Sequence, residues 1–146
     1  MNSRREFILN ACRMCAVITT AGFAATLLEG CSSLKVVTAT AADNTLKVPL
    51  AEFADKSQIL VRSKKTSYDI FVNKKSATDY TALLMECTHE QQPLTASGSA
   101  IFCASHGSKF DLEGKVLLAP ATRNLTRYPV TTNDTELIIE LKPIKS

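Results

Sequence analysis

The stretch that decides the fold is residues 85–111, which read MECTHEQQPLTASGSAIFCASHGSKFD. It contains both histidines of the chain, His89 and His106, and two of its five cysteines, Cys87 and Cys103. These four residues form two mixed pairs, Cys-Thr-His and Cys-Ala-Ser-His, with thirteen residues between the pairs. Each pair offers one thiolate and one imidazole, donors that suit transition metals. The pattern therefore predicts a metal centre held by two loops.

The length and the charge of the chain limit the size of the protein around this centre and the class of its partner. The chain has 146 residues and is 45% hydrophobic, which is enough for one domain with a small core. Its formal net charge is +3, and no basic run exceeds two adjacent lysines. A nucleic-acid partner is not expected from so weak a positive charge.

Short alternations of apolar and polar residues on both sides of the stretch predict strands. The predicted strands are 35–40, 45–50, 58–62, 68–72, 80–86, 99–102, 109–112, 116–118, 125–130 and 136–141. The first two are expected to pair as a hairpin around Asp43-Asn44, and residues 51–56 to form one helical turn. We therefore predict an all-β fold, a small antiparallel sandwich or barrel that carries the two metal-binding loops at one end.

The two pairs are similar to those of the Rieske iron–sulfur family, whose pattern is C-x-H, a spacer and then C-x-x-H-G. The resemblance continues through HGSKF at 106–110, DLEG at 111–114, APA at 119–121 and YPV at 128–130, and spans roughly residues 45–142. It implies one 2Fe–2S cluster per chain, with Cys87 and Cys103 on one iron and His89 and His106 on the other. It also implies that Ser108 donates a hydrogen bond to the cluster, and that the loop of Pro120 covers one side of it.

The resemblance also implies where the reduction potential lies. Two thiolates and two neutral imidazoles leave an oxidised cluster uncharged, so it accepts an electron more easily than a four-thiolate cluster. The reduction potentials of Rieske centres accordingly span roughly −150 to +300 mV. High-potential respiratory members have a serine, a tyrosine and a bracing disulfide around the cluster. This chain keeps the serine as Ser108, but Phe110 replaces the tyrosine, and Gln92 and Ser105 replace the disulfide cysteines. Since the carboxylate of Glu90 also opposes electron uptake, we expect a middling potential.

Two other interpretations of these residues are disfavoured. A Cys2His2 zinc site is disfavoured because such sites more often pair C-x-x-C with H-x-x-H. A Rieske oxygenase is disfavoured because its catalytic iron needs further histidines, and this chain has two. The sequence offers no catalytic acid, base or nucleophile, so we expect an electron carrier that works with a redox partner protein, a cytochrome or an oxidoreductase subunit. The alternative is a Rieske subunit of a complex, such as a cytochrome bc-type quinol oxidase or an arsenite-oxidase-like enzyme. In either case the two histidines are expected to face the partner.

The N-terminal residues predict export. The segment SRREFIL at 3–9 resembles a twin-arginine signal, and an apolar stretch follows at 14–28, short for a membrane span but suited to a signal peptide. Gly30-Cys31 then resembles a lipoprotein cleavage site, with an uncleaved anchor as the alternative. The predicted organisation is a signal peptide at 1–30 that includes Cys12 and Cys15, a lipid-anchored tether and first strand at 31–44, and a Rieske domain at 45–146. The expected location is the periplasmic side of a bacterial inner membrane.

Overall fold

The computed structural model describes residues 34–144, so the predicted export signal and lipidation site lie outside the described residues. The described part is built of strands with one short 3-10 helix, Leu50–Phe53. The strands are β1 (Lys35–Thr38), β2 (Thr40–Ala42), β3 (Thr45–Pro49), β4 (Gln58–Arg62), β5 (Ile70–Lys74), β6 (Tyr80–Leu84), β7 (Leu94–Ser97), β8 (Ala100–Cys103), β9 (Lys109–Asp111), β10 (Val116–Leu118), β11 (Arg127–Tyr128), β12 (Val130–Thr132) and β13 (Glu136–Glu140). The all-β prediction is confirmed. Between residues 34 and 144, no helix is long and apolar enough to cross a membrane.

Three sheets form the domain. The central sheet has five strands in the order β1-β4-β5-β6-β11. A second sheet has the order β12-β13-β3-β2, and a third, which we call the small sheet, has the order β10-β9-β8-β7. The small sheet and the segments that flank it contain all four predicted metal ligands.

The burial of the strands shows how the sheets are layered. In β3, β4 and β13 buried residues alternate with exposed or half-buried ones, as expected for strands that bury one face. In β5 and β6 nearly every residue is buried, because the central sheet is covered on both faces. One face of β5 presents Ile70 and Val72 to a core shared with the second sheet. The opposite face presents Phe71 to a core shared with the small sheet, and the two cysteines belong to that second core.

Two local predictions were wrong. The hairpin predicted from residues 35–50 is limited to β2 and β3, because the chain changes sheets near Ala39 and β1 pairs in parallel with β4. The single strand predicted at 125–130 is divided between two sheets, β11 in the central one and β12 in the second. Pro129 lies at the division, where its missing N–H cannot continue a ladder.

The turn that follows β9 fixes the small sheet to the central sheet. The Glu113 carboxylate lies 3.2 Å from both Lys75 Nζ and Arg127 Nη1, and it accepts a hydrogen bond from the buried Thr81 hydroxyl at 3.3 Å. Next to it, Gly114 has φ +84, and a Cβ built there would lie 2.9 Å from a methyl carbon of Leu83. Glycine therefore allows the turn to approach the central sheet closely.

Candidate metal centre

The first predicted metal-binding pair lies in a tight turn, residues 87–92, within the loop between β6 and β7. The Cys87 N–H donates to the Gln92 carbonyl at 2.8 Å, and the Gln91 N–H donates back to the Cys87 carbonyl at 2.8 Å. Gln91 has φ +52, a left-handed conformation that costs a non-glycine residue roughly 1–2 kcal/mol. The Tyr68 hydroxyl donates to the Gln91 carbonyl at 2.6 Å and holds this backbone in place.

The second predicted pair lies in a loop with the same hydrogen-bond frame, between β8 and β9. The Cys103 N–H donates to the Ser108 carbonyl at 2.9 Å, and the Gly107 N–H donates to the Cys103 carbonyl at 3.0 Å. Gly107 has φ +80, so the left-handed residue stands at the same place as in the first loop. The two cysteines thus begin equivalent turns, and the histidines lie near the tips.

The two thiols are buried side by side beneath these turns. Cys87 and Cys103 are both free and almost fully buried, in a core that includes Phe110 and Leu94. Burial acts to raise the pKa of the Cys103 thiol. Hydrogen bonds to its sulfur, from the backbone N–H groups of Ser105 and His106 and from the Cys87 and Ser105 side chains, outweigh burial and lower that pKa. Those donors favour the thiolate, which is the form that binds a metal.

The two imidazoles are exposed above the thiols. The ring centroids of His89 and His106 lie 5.2 Å apart, with the rings at 89° to each other. The Glu90 carboxylate lies 3.5 Å from His106 Nδ1, so the negative charge that the sequence placed next to one histidine also reaches the other.

The donors fall into two separate groups. Within residues 34–144, the metal-binding set whose ligand atoms all lie within 4.8 Å of one another comprises His89, Glu90 and His106, and neither thiol belongs to it. A single zinc ion with four tetrahedral ligands needs all its donors closer together than this. One pair of thiols and one pair of imidazoles, set apart from each other, instead suit a centre with two metal ions that differ in ligand type. The residues present therefore fit a 2Fe–2S cluster, and their individual assignment as its ligands remains a prediction.

A third loop, residues 119–126, covers the two ligand loops. The Ala121 N–H donates to the Ser108 hydroxyl oxygen at 3.0 Å, and both residues are buried. Because the oxygen is accepting from Ala121, the hydroxyl proton is free to point elsewhere, as a donor to a cluster would require. On the other side, the Thr88 hydroxyl donates to the Arg123 carbonyl at 2.6 Å.

Sequence reasoning missed three of these residues. Ser105 stands where respiratory members have a cysteine, and hydrogen bonding from its backbone N–H and its hydroxyl acts to lower the pKa of the Cys103 thiol. Thr88 and Arg123 carried no signal, because their contact joins positions 35 residues apart.

Comparison with known proteins supports the family resemblance. The family model described as the Rieske 2Fe-2S domain matches residues 47–129. Among curated protein sequences, none matches the chain.

Two solved structures are similar in fold. The crystal structure of the cyanobacterial plasma membrane Rieske protein PetC3 from Synechocystis PCC 6803 is 22% identical, with a TM-score of 0.54, and the match covers 63% of this chain and 94% of that one. A chain from the complex of reduced oxygenase and oxidized ferredoxin in carbazole 1,9a-dioxygenase is 20% identical, with a TM-score of 0.55, and the match covers 70% and 98%. At these identities the likeness concerns the fold alone.

Proposed function

Because this chain belongs to the Rieske 2Fe-2S family and transfers electrons through a 2Fe–2S cluster, we propose that it is a one-electron carrier, exported and tethered to a membrane. The observation that supports a carrier best is the geometry of the two equivalent loops. They bring two buried thiols and two exposed imidazoles to one end of a rigid sheet. When bound, the cluster accepts and releases one electron, and the protein supplies its ligands and surroundings.

We assign Cys87 and Cys103 to one iron and His89 and His106 to the other. The burial of the thiols excludes water from the sulfur ligands, and Phe110, buried in the same core, adds no polar side-chain atom there. The exposure of the imidazoles supports a nitrogen-ligated iron near the surface, and a redox partner protein would dock where the two histidines lie. The lack of a hydroxyl on Phe110 and the carboxylate of Glu90 support a potential below that of respiratory members.

Metal analysis and spectroscopy of the full-length protein test the cluster assignment. Two irons and two sulfides per chain are expected, with the electron paramagnetic resonance signal of a reduced, histidine-ligated cluster. Replacing Cys103 by alanine should abolish that signal, whereas replacing Cys31 should leave it unchanged. A colourless protein, or one that binds a single zinc ion, would contradict the assignment.

The proposed location rests on the N-terminal sequence. The twin-arginine route suits a protein that folds around its cluster before export, and lipid attached to Cys31 would then hold it at the periplasmic face of the inner membrane. In a bacterial host, Arg4→Lys with Arg5→Lys should retain the protein in the cytoplasm, and Cys31→Ala should release it from the membrane fraction. An unchanged membrane association of Cys31→Ala would favour the uncleaved anchor. Purification in a stable complex with catalytic subunits would favour the alternative of a complex subunit.

A further inference from the structure

No disulfide joins the two ligand loops in the described part of the chain, since Cys87 and Cys103 are both free. Apart from a cluster bound by both loops, their relative position therefore depends on non-covalent contacts. The third loop provides such contacts on both sides, through Ala121 to the second loop and through Arg123 to the first.

The contact with the first loop is reciprocal. The Thr88 hydroxyl donates to the Arg123 carbonyl at 2.6 Å, and the Arg123 guanidinium Nη2 donates to the Thr88 carbonyl at 3.3 Å. We call this pair of hydrogen bonds the Thr88–Arg123 clasp. Thr88 lies between Cys87 and His89, so the clasp acts on the residue that joins two predicted ligands.

The two ligand loops are restrained unequally. The bond between Ala121 and Ser108 lies in the core, where its loss would leave a buried donor unpaired. The clasp is exposed and borders an open cavity of about 480 Å³, lined by Thr88, Gln91 and Arg123 among others. The first loop thus has room to move on that side. Apart from the clasp, its tip is held by two exposed contacts, the bond from Tyr68 to Gln91 and the approach of Glu90 to His106 Nδ1 at 3.5 Å.

We propose that Thr88 and Arg123 are positioning residues that lock the first ligand loop against the third loop and so keep Cys87 covered. Opening of the clasp lets the first loop move toward the cavity and admits water to the thiolate side of the centre. The proposal rests on the proposed function in that these loops hold the cluster. The lock itself is a property of the polypeptide and can be measured with or without iron.

The test compares Thr88→Val and Arg123→Ala with the wild-type full-length protein. Both variants should lose iron to a chelator faster, by roughly twofold to tenfold, the range that corresponds to one lost hydrogen bond. Hydrogen exchange measured by mass spectrometry should accelerate by a similar factor at the hydrogen-bonded amides of Cys87 and Gln91, while the amide of Val72 in the central sheet keeps its rate. Thr88→Ser restores the hydroxyl and should return both rates to wild-type values.

Arg62→Ala is the control, because Arg62 is also an exposed arginine, and its side chain donates two hydrogen bonds to Asp69 where that of Arg123 donates one to Thr88. It should change neither iron release nor exchange in the first loop. Wild-type rates of release and loop exchange in both clasp variants would overturn the proposal, and so would acceleration throughout the domain, which indicates general destabilisation. If the wild-type protein binds no iron, the proposed function fails. The exchange measurement then still decides whether the clasp restrains the loop.

Discussion

Replacing Glu90 by glutamine removes a negative charge next to the imidazoles and should raise the reduction potential. The Glu90 carboxylate lies 3.5 Å from His106 Nδ1, and the two side chains are 55% and 46% exposed, so a water-like dielectric applies. At that distance two unit charges interact by about 1.2 kcal/mol in water. An electron added to the cluster would lie farther from the Glu90 carboxylate than His106 Nδ1 does, so this energy is an upper bound. We take the interaction to lie between roughly half of it and the whole. With 1.4 kcal/mol equal to 59 mV for one electron, the expected rise is roughly 25–50 mV.

A mediated redox titration of the holoprotein at neutral pH and low ionic strength measures this shift. The difference between variant and wild type should shrink at about 1 M salt, where the Debye length falls to about 3 Å. Glu140→Gln is the control, because Glu140 is exposed on β13 in the second sheet, which packs on the opposite side of the central sheet from the loops. A potential that stays the same or falls in Glu90→Gln would refute the electrostatic reasoning. So would an equal rise in the control.

Three further predictions concern other parts of the site and its support. In denaturant titrations, Gly114→Ala should reduce the free energy of unfolding by about 2–4 kcal/mol and Gly98→Ala by about 1–2 kcal/mol. Both positions have positive φ, but only Gly114 lacks space for a methyl group. Equal losses would show that steric crowding at Gly114 is unimportant. Ser108→Ala should lower the reduction potential by roughly 40 mV, because the cluster loses one hydrogen-bond donor. It should also reduce the free energy of unfolding by about 1–3 kcal/mol, because the buried Ala121 N–H loses its acceptor. An unchanged potential with reduced stability would leave Ser108 only a structural role. Burial and, to a smaller extent, the negative charge of Glu86 raise the pKa of Tyr128 above its ordinary 10.0. The folded state therefore keeps this proton to a higher pH than the unfolded state, and the stability present below pH 10 is lost as the pH rises further. Tyr128→Phe should flatten that alkaline loss of Tm, and a pH profile identical to that of the wild type would contradict the assignment.

The sequence by itself determined the chemistry of the site. The spacing of Cys87, His89, Cys103 and His106 depends on neighbouring positions only, and it indicates a two-loop metal centre before any contact is known. The alternation in β3, β4 and β13 was equally local, so those strands were predicted close to their observed bounds. By contrast, β7 went unrecognised within the spacer between the pairs, because its short sequence LTAS has only one buried apolar residue.

Only the tertiary structure decided how these parts meet. The continuous burial of β5 and β6 arises because other sheets pack on both faces of the central sheet. The sequence of a strand shows that the strand is apolar, but it does not show which elements cover it. The separation of two buried thiols from two exposed imidazoles depends on how two turns stack, which residue spacing does not specify. The Thr88–Arg123 clasp depends on the path of the chain through three sheets, because it joins residues whose side chains give no sign, in the sequence, of being neighbours.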